Sequence, residues 1–168
     1  ESTPVGPGSK DAKLAITNRI NNGAILVNYT GHGGEGGLTQ ERIVDVDQIL
    51  GWNNYDKLPL FVTATCEFGR FDNPELTSAG EHIILNPNGG GVALLTTTRY
   101  VYSHLNYSLN TNFINTVFET VDGHYQNLGD IFLSTKVLSG TSVNSKKFTL
   151  LGDPMMSIAY PQYNIRTT

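Results

Sequence analysis

The chain has 168 residues, long enough for one domain with a sizeable buried core. Its net charge of −4 argues against a phosphate-binding surface for nucleic acid, and its longest apolar runs are strand-sized, too short to span a bilayer. A single cysteine, Cys66, excludes an internal disulfide and any multi-thiolate zinc site.

Residues 1–10 read as a linker, 11–160 as one domain and 161–168 as a C-terminal tail. With neither an initiator Met nor a signal peptide at Glu1, the expectation is a domain excised from a longer chain. Asp11 to Asn22 is predicted helical, with Asn21-Asn22-Gly23 as its stop. Residues 24–29 (AILVNY) form a continuous apolar run, the pattern of a strand covered on both faces, and lead into the glycine-rich loop Thr30 to Gly37. A brief helix is predicted over 45–50, extending as far as Asn54. A second buried strand covers 60–65, with Cys66 at its end. A helix over 78–85 stops at Asn86-Pro87-Asn88, and a third strand runs over 91–98. Helices over 106–120 and 128–138 follow, then short strands over 148–151 and 155–159 around Gly152-Asp153-Pro154, which reads as a turn. This alternation predicts an α/β fold with a mostly parallel sheet and helices on both faces, in which ligands bind beyond the carboxyl ends of the strands.

His32 and Cys66 both stand just past the ends of predicted core strands. Adjacent strands lie about 5 Å apart, so as sheet neighbours these two would bring imidazole and thiol together across a cleft. A thiolate is a strong nucleophile, and an imidazole beside it can take its proton and later protonate a leaving amine. The glycines around His32 leave main-chain N–H groups unscreened, so the amides of Gly33 and Cys66 suit the stabilisation of an acyl-transfer oxyanion. The competing reading is a small buried hydrophobe at Cys66 in a non-catalytic domain.

The other candidates each carry a bland reading beside the functional one. Glu67 follows the nucleophile directly and faces either substrate or solvent, and Arg99, past the third strand, lines a specificity pocket or lies on the surface. Trp52 is a core anchor or a cleft wall. His82, His104 and His124 lack the paired spacing of a metal site, and Asp45 and Asp47 look like helix-start residues. The run GHGGEGG has no following Lys-Ser/Thr and lacks the GxGxxG order, which discounts nucleotide binding.

The run Asn28-Tyr29-Thr30-Gly31-His32-Gly33, followed by Glu35, resembles the histidine motif of the gingipain-type cysteine peptidases. Cys66, with Phe71-Asp72 five residues on and Gly80-Glu81 opening a helix, is similar to that family's nucleophile segment. The strand LLTTT and the ending Leu150-Leu151-Gly152-Asp153-Pro154 resemble it as well, so the likeness runs from about residue 11 to 160. Within the family, the form GHGGEGGLTQER looks most like the surface sortases of the type IX secretion system.

The resemblance implies a caspase-like three-layer sandwich with Cys66 as nucleophile, His32 as general acid/base and Gly33 as the oxyanion glycine. It implies cleavage of C-terminal sorting domains from secreted proteins at a bacterial surface, outer-membrane associated or extracellular, with other secretion-system subunits as partners. The alternative is a non-catalytic module of the same fold that recognises secreted cargo. No cofactor is expected, although peptidases of this kind often bind calcium, which keeps a calcium site at Asp45 and Asp47 as a second reading. Two departures stand out. Thr65 occupies the position where gingipains carry a further cysteine, and the acid that orients the histidine there comes from an earlier subdomain with no counterpart in this sequence. Glu35 is the in-chain candidate for that role.

Overall fold

The computed structural model describes residues 7–161. In chain order the elements are α1 (Pro7–Asn22), β1 (Leu26–Thr30), β2 (Gly33–Gly34), β3 (Gly37–Leu38), β4 (Val44–Asp45), α2 (Val46–Leu50), β5 (Leu60–Ala64) and α3 (Ala79–Leu85). Then follow β6 (Ala93–Thr97), α4 (Ser103–Val117), β7 (Thr120–Val121), β8 (His124–Tyr125), α5 (Leu128–Leu138), α6 (Val143–Lys147) and β9 (Phe148–Leu151).

The central sheet has the order β1-β5-β6-β9, with the first three strands parallel and β9 antiparallel to β6. Every residue of β5 and β6 is buried, as the unbroken apolar runs require of strands covered on both faces. Alternate side chains divide them between two cores. Phe61 and Leu94 point to one side, where they meet Ile20 of α1, Ile49 of α2 and Ile83 of α3, and where Trp52 stacks on Phe61 at 5.7 Å. Leu60, Val62, Ala93 and Leu95 point to the other, against Phe113 and Val117 of α4 and Leu128 and Ile131 of α5. Helices therefore cover both faces of a mostly parallel sheet, the three-layer α/β arrangement expected from the sequence.

Several boundaries differ from the sequence reading, each for a local reason. Residues 7–10, read as linker, are the first turn of α1, which begins at Pro7; proline suits a first helical position because its missing N–H would have no partner there. α2 ends at Leu50 and does not reach Asn54. Residues 155–159 are not a strand: after Asp153, whose side chain accepts from the Met155 N–H at 2.8 Å, the chain turns away to bond α5, Leu128 N–H to Met156 carbonyl at 2.8 Å. The glycine-rich loop, read as irregular, folds back as a small antiparallel sheet of β2, β3 and β4. The β7–β8 hairpin and α6 were not expected. Residues 1–6 of the predicted linker and the tail beyond 161 lie outside the described residues.

Candidate functional site

The register of the parallel sheet sets the geometry. Thr30 is paired with Ala64, and His32 and Cys66 each stand two residues further along their strands. The Gly31 N–H donates to the Ala64 carbonyl at 3.4 Å, so the ladder continues one step past the strands before the loops diverge. His32 and Cys66 line the same cleft, of about 310 Å³, at the carboxyl end of the sheet. Its far wall is the start of α4, and the Cys66 thiol reaches the Val101 carbonyl at 3.7 Å.

Each loop is fixed by its own backbone. The His32 carbonyl accepts from the Thr39 N–H at 2.8 Å and from the Tyr29 hydroxyl at 2.7 Å. Burial raises the Tyr29 pKa, so the phenol stays a donor at neutral pH. The Thr39 bond fixes the alternation of the β2–β3 ladder, leaving Gly33 in a non-hydrogen-bonded pair with Leu38 and its N–H directed away from β3. The Cys66 N–H has no hydrogen-bond partner among the described residues. Two amide donors in the His32 and Cys66 loops are thus uncommitted.

The segment around Cys66 is held against the end of β6. The Thr97 hydroxyl donates to the Thr65 carbonyl, Glu67 N–H to Arg99 carbonyl at 3.3 Å, and Gly69 N–H to Thr97 carbonyl at 3.0 Å. Glu67 sits in the left-handed region at φ 49°, an uncommon conformation for a side-chain-bearing residue, directly after Cys66. The two loops touch at Gly33, where a Cβ would lie 2.6 Å from the Thr65 hydroxyl oxygen; only glycine lets them approach this closely.

Among the described residues Glu35 makes no hydrogen bond or ion pair with the His32 ring. Its carboxylate accepts from Asn73 Nδ2 at 3.1 and 3.2 Å and pairs with Arg70 Nε at 3.3 Å, drawn there by the guanidinium. Arg70 also pairs with Glu67 at 3.5 Å and Asp72 at 3.7 Å. Arg99 is held by Asp72 in a two-pronged bond of 3.0 and 2.5 Å and lies outside the cleft lining, so neither Glu67 nor Arg99 presents a free charge to it. The Arg99 bond holds the Asp72 carboxyl below the usual carboxylate range. Trp52 is fully buried in the core and is no cleft wall. Asp45 caps α2, accepting from the Gln48 N–H at 2.9 Å, and its other oxygen pairs with Lys13. Among the described residues no three His, Cys, Asp or Glu side chains gather as a metal-binding group, and no helix is long and apolar enough to cross a membrane.

Sequence reasoning missed three contributors. Arg70 laces the two loops, and its signal was a lone cation between Glu67 and Asp72. Tyr100 stands beside Glu67, whose negative charge, foremost, raises the phenol pKa. Asn106, in the first turn of α4, lines the cleft although it is only 4% exposed. A buried asparagine in a helix has no sequence signature that separates it from a surface one.

Residues 1–159 match peptidase family C25. No curated protein matches the sequence. Among solved structures, the complex of Porphyromonas gingivalis RgpB pro- and mature domains is similar at a TM-score of 0.75 and 19% identity, over 87% of this chain and 37% of that one. The Arg-specific cysteine proteinase gingipain R (RgpB) gives 0.76 and 19%, over 87% of this chain and 36% of that one. At that identity the likeness shows the caspase-like gingipain fold, and the chain spans little more than a third of the length of these structures. The match along nearly its whole length decides the family: the chain belongs to peptidase family C25, the gingipain-type cysteine peptidases.

Proposed function

We propose that the chain is the catalytic portion of a sortase-type member of its family, of the kind represented by PorU, the surface sortase of the type IX secretion system. In this reading it cleaves the C-terminal sorting domain from secreted proteins at the bacterial surface, beside other subunits of that system. The observation that carries the catalytic part is the placement of His32 and Cys66 at equivalent positions beyond paired strands, lining one cleft. The sortase assignment is supported by the form of the segment Gly31 to Arg42, GHGGEGGLTQER.

The chemistry follows from these groups. His32 takes the Cys66 thiol proton, and the thiolate attacks the carbonyl carbon of the scissile peptide, forming a C–S bond. The carbonyl electron pair moves onto oxygen, where the free N–H groups of Gly33 and Cys66 receive it. Collapse breaks the C–N bond, and His32 returns the proton to the departing amine. Water, or an amine acceptor, then attacks the thioester and restores the thiol. This sequence of steps calls for no cofactor.

The test is incubation with a secreted protein carrying its C-terminal sorting domain, with and without an added amine acceptor. Mass spectrometry is expected to find the shortened protein with a free carboxyl end or an amide to the acceptor, and neither product with Cys66→Ala. Intact cargo that remains bound to the folded protein would instead establish the non-catalytic recognition module.

A further inference from the structure

The wall of the cleft opposite Cys66 carries an uncommitted donor. Asn144, fully buried, fixes the start of α4: its Oδ1 accepts from the Tyr102 N–H at 3.0 Å, and its Nδ2 donates to the Tyr102 carbonyl at 2.7 Å and to Asn106 Oδ1 at 2.9 Å. The last bond orients the Asn106 carboxamide, because its oxygen is already taken. Asn106 Nδ2 is left with no acceptor among the described residues, on a side chain only 4% exposed that lines the cleft with Cys66 and His32. That amide is not among the buried unpaired atoms of the described residues, so it opens on the solvent of the cleft, and a ligand seated there would replace water as its partner. Among the described residues the rest of the lining is neutral: apart from His32 and Cys66, Thr30, Val101, Tyr102 and Ser103 bring hydroxyls and apolar surface, and no carboxylate or cation.

We propose that this cleft receives the substrate side chain on the acyl side of the scissile bond, and that Asn106 selects an uncharged side chain bearing an acceptor oxygen, of the Asn, Gln, Ser or Thr class. The inference rests on the peptidase reading above and names the substrate class of that site. An oxygen in the cleft satisfies Asn106 Nδ2, whereas a purely apolar side chain leaves it buried and unpaired. Among the described lining residues a lysine or arginine would meet no carboxylate to offset its lost hydration, and an aspartate or glutamate would find neutral donors and no cation.

The test uses peptidyl acyloxymethyl ketones of one sequence that differ only at this residue: Asn, Ser, Leu, Arg and Asp. In the labelling step the Cys66 sulfur displaces the carboxylate leaving group and forms a thioether, which mass spectrometry locates and times. The Asn and Ser probes are expected to label Cys66 about 10-fold or more faster than the Leu, Arg and Asp probes. Asn106→Leu is expected to abolish the preference of Asn over Leu, and Asn106→Asp, which keeps the acceptor for Asn144, to shift preference to the Arg probe. Fastest labelling by the Arg probe in the unmodified protein would overturn the proposal while leaving the peptidase reading intact, as would an unchanged ranking in Asn106→Leu when thermal unfolding shows that variant folded. Failure of every probe to label Cys66 in the folded protein would overturn the peptidase reading, and this proposal with it.

Discussion

Gly33 shows how one residue sets the distance between two loops. Its missing side chain lets the His32 loop lie against Thr65, and its N–H is turned away from its own small sheet. A methyl group there would sit 2.6 Å from the Thr65 hydroxyl oxygen and 3.2 Å from the Gly37 carbonyl oxygen, so Gly33→Ala must move one loop off the other. A displacement near 1 Å costs about 100-fold where reacting groups need near-contact geometry. The expected outcome is a loss of that order in the rate of Cys66 acylation with the melting temperature little changed; an unchanged rate would show that the contact does not set the site. The placement of Cys66 and His32 at one cleft was legible in the sequence because both follow strand-like runs and carry a local chemical signal. Asn106 was not, because what distinguishes it is a buried bond to Asn144, thirty-eight positions away. Sequence proximity along a loop suggested Glu35 as a partner for His32 and did not reveal that the loop folds back as a hairpin, with the carboxylate paired to Arg70.

At the scale of elements, the parallel register of β1 and β5 brings His32 and Cys66 to one cleft, and an ionic lacing joins the loops beyond them. Arg70 joins Glu35 of the His32 loop to Glu67 and Asp72 of the segment after Cys66, and Asp72 passes the link to Arg99 beyond β6. Arg70 is about a third exposed, so its pairs are screened and each is worth little alone. A double-mutant cycle of Glu35→Gln and Arg70→Met is expected to give a coupling of about 0.5–1 kcal/mol by urea unfolding. Strict additivity would mean that the lacing carries no energy. A second ion pair joins elements distant in sequence: partial burial works to raise the Asp45 pKa, but Lys13, the Gln48 N–H and Arg42 outweigh it and hold the carboxyl below its ordinary range. A depressed carboxyl stabilises the folded state above the ordinary carboxylate pKa, and that contribution fades as pH falls through the lowered value. Asp45→Asn keeps a capping oxygen and removes only the charge. It is expected to cost about 0.5 kcal/mol at pH 7 and progressively less as pH falls through the lowered carboxyl pKa; a cost independent of pH would assign the effect to the cap.

Over the whole molecule, the three-layer arrangement was readable because it follows from patterning. Strands β5 and β6 are continuous apolar runs that demand cover on both faces, and the intervening amphipathic segments supply it. What escaped was structure made by weak or short signals: the glycine-rich β2–β4 sheet, the exposed β7–β8 hairpin, the five-residue α6, and the irregular path of residues 155–159 back onto α5. The same architecture places the free ends of β1, β5 and β6 at one rim, so thiol, imidazole and uncommitted amides converge without any long-range rearrangement of the chain. A non-catalytic module of this fold would keep the layers and lose the reactivity of Cys66. The direct measurement is therefore the labelling of Cys66 at neutral pH by a thiol-directed acylating probe, in the unmodified protein and in His32→Ala, with Cys66→Ala as the blank. A working dyad predicts labelling that falls about 100-fold in His32→Ala, within the range expected for loss of a positioned base. Equal labelling of the two proteins would contradict it.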